Sequence, residues 1–288
     1  MRLKEIEQEI ALLKDYFSKR PNVLLSFIFG SHASQRTHKS SDWDIAVYFK
    51  PVHKYIEWED LSREYPEEDE IWEDCIDILK TDNVDLLVLN RAPASVAASA
   101  LNGMPLIVKD HGLWCNFMLI VTREAEDYRR FVDEYYAILE RSFSLNPYDK
   151  EIIKKTLSFI EEQISLYSYF RDLSEKDYSN DIHKRNDVER WIENVINASI
   201  DIAKVILAGK RKAIPGTYRE IIKQASWELK LDNDQEFAVK FGQWTRLRNI
   251  LAHEYLDIKW QRISGFIQNS SHYIKRFIEA AKNYIAEA

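Results

Sequence analysis

The stretch Phe27-Ile-Phe-Gly30-Ser31-His-Ala-Ser-Gln-Arg-Thr-His-Lys-Ser-Ser-Asp42-Trp-Asp44-Ile-Ala-Val47 sets a small-residue turn and two carboxylates between two apolar runs. Residues 23–29 are aliphatic and aromatic and stop at Gly30, and residues 44–49 repeat the pattern, so both read as buried strands. Gly30 and Ser31 then sit at the carboxyl end of the first strand, where a helix opens. A helix start offers free N–H groups and the positive end of the dipole, and glycine lets a phosphate approach the main chain. Gly30 and Ser31 are therefore candidate phosphate-binding residues.

Asp42 and Asp44 are two apart, and alternate side chains of an extended segment share a face. Carboxylates held side by side repel, which raises the pKa of one unless a cation lies between them. Hard oxygen ligands suit magnesium, which keeps substrate phosphates in its shell. A third carboxylate, Asp85, opens Val84-Asp85-Leu-Leu-Val-Leu89, a strand expected beside the second. Three such groups can hold two metals about 3.5–4 Å apart, the arrangement used in phosphoryl and nucleotidyl transfer.

Gly-Ser, ten residues, Asp-x-Asp and a further Asp on the next strand together resemble the minimal nucleotidyltransferases of the polymerase-beta superfamily. The resemblance covers roughly residues 20–145. It implies Gly30 and Ser31 as the phosphate-binding turn, Asp42, Asp44 and Asp85 as metal ligands, and Mg2+ and ATP as cofactors.

The chain has 288 residues, 45% of them hydrophobic, with seven glycines and seven prolines, which excludes a disordered or low-complexity chain and favours helix. No apolar run is long enough to cross a bilayer and the amino terminus carries acids, so the expected location is cytoplasmic. Cys75 and Cys115 lack metal-site spacing and are expected to be buried free thiols. Residues 1–149 hold 17 Lys and Arg against 27 Asp and Glu, a net of −10, and the rest hold 23 against 20, a net of +3. The basic half is the one suited to meet RNA.

Strands and helices alternate through residue 145: an amphipathic helix over 3–17, an acidic, solvated helix within 57–79 broken near Pro66, an alanine-rich helix over 93–101, an edge strand over 105–109 and a long helix over 113–141. Asn146-Pro147 marks a boundary, with Asn as helix cap and Pro in the first turn. Five helices are expected beyond it, the second ending at Gly209, the third opened by a capping box at Thr217–Glu220, the fourth over 234–252 and the fifth over 260–286. The fold class is α/β plus all-α, with domains 1–145 and 146–288.

Within the fourth helix, Arg248 and His253 are five apart, some 140° round an unbroken helix at about 100° per residue. Either the helix loosens before His253 or the residues meet across a subunit boundary. A histidine moves protons and an arginine stabilises phosphate charge, which suits metal-free cleavage of RNA. The plainer reading is that Arg248 pairs with an acid of the bundle and His253 ends a helix.

Arg248-Asn-Ile-Leu-Ala-His253-Glu-Tyr255 resembles the R-x4-H-x-Y motif of HEPN domains of the HepT type, and segments around Asp187, Asp201 and Pro215 extend the likeness over roughly 150–288. The resemblance implies a homodimeric helical bundle, Arg248 and His253 as ribonuclease residues acting on RNA, and Tyr255 as acceptor of AMP from a partner nucleotidyltransferase in a toxin-antitoxin pair. Those partners are normally two chains, whereas here both resemblances lie on one. An aminoglycoside-type antibiotic adenylyltransferase and a non-catalytic nucleotide sensor are the alternatives.

Overall fold

Four segments rich in branched and aromatic residues pair into one sheet: β1 (Val23–Phe29), β2 (Trp43–Phe49), β3 (Val84–Val88) and β4 (Met104–Val108), in the order β3-β2-β1-β4. The structure, a computed structural model, describes residues 2–33, 42–52, 56–59, 63–141, 145–231, 236–253 and 260–287. The chain divides into two compact units, Met1–Asp127 and Tyr128–Ala288. The division falls inside a helix, eighteen residues before the boundary expected at Asn146, because Phe131, Tyr135 and Ile138 are buried in the core of the second unit.

In the first unit β1 runs antiparallel to both β2 and β4, while β2 and β3 are parallel. The carboxyl end of β1 therefore lies beside the starts of the other three strands. Helices α1 (Arg2–Ser18), α2 (Gly30–Ala33), α3 (Glu68–Leu79), α4 (Ala94–Leu101) and α5 (His111–Arg141) connect and cover the sheet. The period of two splits its residues between two cores. Val23, Ile28, Ile45 and Val47 pack with Leu13, Phe17 and Ile71 on one face; Leu25, Phe27 and Tyr48 pack with Ala97, Phe117 and Val121 on the other. At the far end of β2 the buried Asn90 side chain accepts from the Phe49 N–H at 2.8 Å and donates to the Phe49 carbonyl at 3.0 Å, satisfying both main-chain groups.

Helix α3 starts only after Pro66, and its acids are paired more than a solvated face requires: Arg20 reaches Glu70 at 2.9 Å and Asp74 at 2.5 Å, and Arg91 binds Glu68. Glu57, expected in the same solvated stretch, is buried. It accepts from the Val52 N–H at 2.6 Å and pairs with Arg63. Cys75 is buried as expected but Cys115 is exposed, since it faces outward from the first turns of α5.

The second unit is all helix: α6 (Pro147–Ser165), α7 (Tyr167–Arg171), α8 (Glu175–Asn180), α9 (Ile182–Gly209), α10 (Tyr218–Glu228), α11 (Glu236–Gly242), α12 (Thr245–His253), α13 (Trp260–Asn269) and α14 (Ser271–Glu287). Asn146 caps α6 by accepting from the Asp149 N–H, with Pro147 behind it. Thr217 caps α10 in the same way, but the Glu220 carboxylate turns to Lys223, so only half of the expected capping box forms. Two helices expected to be continuous are broken. Thr245 donates its hydroxyl to the Gly242 carbonyl at 2.8 Å where α11 ends, and the buried Ser270 donates to the Phe266 carbonyl at 2.6 Å between α13 and α14. Such local side-chain bonds compete with the helical ladder. Trp191 of α9 centres the core, against Tyr167, Phe170 and Phe266 with ring centroids 4.7, 4.6 and 5.7 Å away. Among the described residues no helix is long and apolar enough to cross a membrane.

Candidate active sites

Gly30 closes β1 with φ at +66°, a conformation that favours glycine, and a Cβ placed there would lie 2.1 Å from Asp44 Oδ2. The turn has room for that carboxylate only because residue 30 has no side chain. Register explains the approach: Phe29 pairs with Asp44 across the β1–β2 ladder, and Asp44 pairs with Asp85 across β2–β3. By strand alternation Asp44 and Asp85 project on one face, at the end of the sheet where α2 begins. Asp44 is half-buried, while Asp42, one residue before β2, and Asp85 are exposed. Ser31 and His32 are half-buried in α2, and the His32 ring stacks on buried Trp43 at 4.0 Å between centroids and 17° between planes, fixing the turn beside β2.

The Asp44 carboxyl titrates above the ordinary carboxylate range. Burial is the largest cause, followed by the charges of Asp85 and then Asp42, with His32 opposing them. Among the described residues no three His, Cys, Asp or Glu side chains gather closely enough to hold a metal ion, so Asp42, Asp44 and Asp85 do not form a ready-made three-ligand cluster. Their chemistry nevertheless fits a hard divalent cation: oxygen donors only, like charges set in register, and a glycine turn that admits a further anion.

In the helical unit, Arg248 lies on α12, half-buried. Its Nε donates to Asn197 Oδ1 at 3.3 Å, a terminal nitrogen donates to Asn249 Oδ1 at 3.2 Å, and the guanidinium carbon sits 4.9 Å from the centroid of the Tyr218 ring. Helix α12 stays helical through His253, so it does not loosen before that residue. Tyr255 lies outside the described residues.

A family model described as Ribonuclease HepT-like matches residues 125–281, more than half of the chain. The chain belongs to the HepT-like family. A second model, described as Polymerase beta, Nucleotidyltransferase, matches residues 12–112, so a nucleotidyltransferase domain precedes the HepT-like one. No curated protein matches the chain. A solved structure described as "Crystal structure of the toxin-antitoxin with AMP-PNP" is similar over 47% of this chain and 96% of its own, with 21% identity and a TM-score of 0.34.

Three contributors to these sites escaped the sequence reading. Trp43, between the two aspartates, lay outside the strand expected over 44–49, whereas it opens β2 and its ring carries His32. Tyr218 stood in a HepT-like segment without a role. Asn197 had a legible signal: with Asp201 and Lys204 it forms a polar row at helical spacing on the largely apolar second half of α9.

Proposed function

We propose that the amino-terminal domain, residues 1–145, is a nucleotidyltransferase that moves AMP from ATP to Tyr255 of the HepT-like domain, residues 146–288, in a toxin-antitoxin type of regulation. The observation that carries the first part is the Asp44–Asp85 register pair held against the Gly30 turn, with the Asp44 carboxyl pushed up first by burial and then by the charges of Asp85 and Asp42. Asp42, Asp44 and Asp85 would hold Mg2+, which supplies charge neutralisation at the reacting phosphate. Gly30 and Ser31 present main-chain N–H groups to the phosphates. Asp85, the exposed member of the register pair, accepts the proton of the tyrosine hydroxyl as its oxygen bonds to the α-phosphorus and pyrophosphate leaves.

In the second domain Arg248 stabilises the charge on an RNA phosphate and His253 moves a proton. Because α12 is helical over both residues, their 140° separation favours a homodimer in which each copy completes the other's site. AMP on Tyr255, which follows Arg248 and His253 in the same motif, would add a phosphate that competes with RNA for Arg248.

Purified protein incubated with labelled ATP and magnesium should label itself, and intact mass should show whole AMP increments. Asp42→Ala with Asp44→Ala should abolish labelling, and Tyr255→Phe should remove it. Equal labelling of wild type and Tyr255→Phe would take Tyr255 out of the reaction; undiminished labelling of the double variant would discard the carboxylate site. Transfer to an added aminoglycoside, or ATP binding without transfer, would replace the proposal with the antibiotic-modifying or the sensor reading.

A further inference from the structure

Arg248 is not a loose surface arginine, and the groups that hold it come from two other helices. Tyr218 at the start of α10 is buried and offers its ring to the guanidinium, while Asn197 of α9 tethers Nε. The Tyr218 ring is itself fixed edge-on by two residues of α5: Tyr128 at 5.2 Å and 72°, and Phe131 at 5.2 Å and 86°. The outer members of this row are held too. The Tyr128 hydroxyl donates to the Pro215 carbonyl, and the Lys204 ammonium lies 4.7 Å from the Phe131 centroid while paired with Glu134 and Asp201.

We infer that Tyr218 and Asn197 are positioning residues that set the plane of the Arg248 guanidinium for a phosphate oxygen. The inference rests on the ribonuclease reading of the second domain and adds to it the groups that aim its cation. The physical reason is that a guanidinium recognises phosphate through a planar fork, so its use depends on orientation as well as charge. The Tyr218 ring beneath the guanidinium carbon restricts the tilt of that plane, and the Asn197 bond to Nε restricts its rotation about the side chain. A cation over a buried ring is attracted by the negative face of that ring, which favours one orientation over the others.

The test uses the full chain carrying Asp42→Ala and Asp44→Ala, so that self-modification does not intervene, with a mixed-sequence oligoribonucleotide as probe. Arg248→Ala and His253→Ala should abolish cleavage. Tyr218→Leu should lower kcat about tenfold with KM within about twofold, and Tyr218→Phe should restore it, since the ring and not the hydroxyl meets the guanidinium.

A second readout needs no activity. In arginine-labelled protein the Arg248 Nε–H resonance should show the upfield ring shift of a stacked guanidinium. Tyr218→Leu should remove that shift, and Asn197→Ala should hasten the exchange of this proton with water, each variant being checked for an unchanged melting transition. An Nε–H signal unmoved in a folded Tyr218→Leu variant overturns the inference. Absence of any cleavage by the parent protein refutes the ribonuclease reading instead, and the resonance still decides whether Arg248 is aimed.

Discussion

At one end of the sheet Asp44 faces Asp85 across a parallel ladder with Asp42 two residues upstream, so like charges are held together; in the helical unit a single cation, Arg248, is laid on Tyr218 and tethered to two asparagine oxygens. The first arrangement stores electrostatic repulsion that a bound cation relieves. The second stores little and supplies direction. A site of the first kind is fragile to steric change in the turn that admits its ligand, whereas one of the second kind is fragile to loss of the groups that set an angle. The contrast can be broken by experiments at each place.

The largest expected effect is at Gly30. Gly30→Ala forces a side chain into a positive-φ position and against the Asp44 carboxylate, so that carboxylate or the turn must move by an ångström or more. A displacement of that size costs about 100-fold in a positioned reaction. Self-labelling should fall by at least that factor, and RNA cleavage by the same preparation should rise because Tyr255 stays unmodified. Retention of full labelling would mean that the turn does not contribute to transfer.

Next in size is Asn90→Ala, at the opposite end of β2 from the carboxylates. It strands the Phe49 N–H and carbonyl in a buried place, at a cost of about 2–4 kcal/mol, the loss of two hydrogen bonds with the desolvation of their partners. Chemical denaturation should show that loss, with labelling per folded molecule intact. Parallel loss of labelling at low temperature would show that the carboxylate end depends on how β2 is anchored at Phe49, and would weaken the view that register alone sets it.

The two sites also differed in how far the amino-acid sequence disclosed them. The glycine turn and the three aspartates were legible because each sits at a strand end, and strand alternation with one pairing decision, β3 beside β2, brings Asp44 and Asp85 together. Arg248 and His253 were legible as a motif, but their surroundings were not. Asn197 and Tyr218 reach Arg248 only through the packing of α9, α10 and α12, which no local period specifies. The breaks at Gly242 and Ser270 were hidden for a related reason: a hydroxyl that takes a helix carbonyl is common on continuous helices, and only burial of Ser270 against Tyr167, 2.6 Å away, makes it a corner. Buried Glu57 was masked by the acids that follow it, since its partner Arg63 lies across a stretch with no regular spacing.

The smallest effect, and the one that tests the cost of ionising Asp44 through burial and its acidic neighbours, is thermal. Asp44 titrates above its ordinary range, so the folded chain binds its proton more tightly than the unfolded chain does. Where the unfolded state binds fewer protons, stability falls as pH rises, here from the ordinary carboxylate value up through the raised one. Above that window the ionised Asp44 destabilises the fold in full; below it the group is neutral in both states and the penalty vanishes. Asp44→Asn should therefore melt slightly higher than wild type at neutral pH in a chelator, and the gap should close on acidification. Magnesium with ATP should reverse the order, because a ligand that binds only the folded state stabilises it by mass action and the variant has lost part of the binding group. A gap of constant size at every pH would assign the difference to packing at residue 44 and would remove charge repulsion from the description of this end of the sheet.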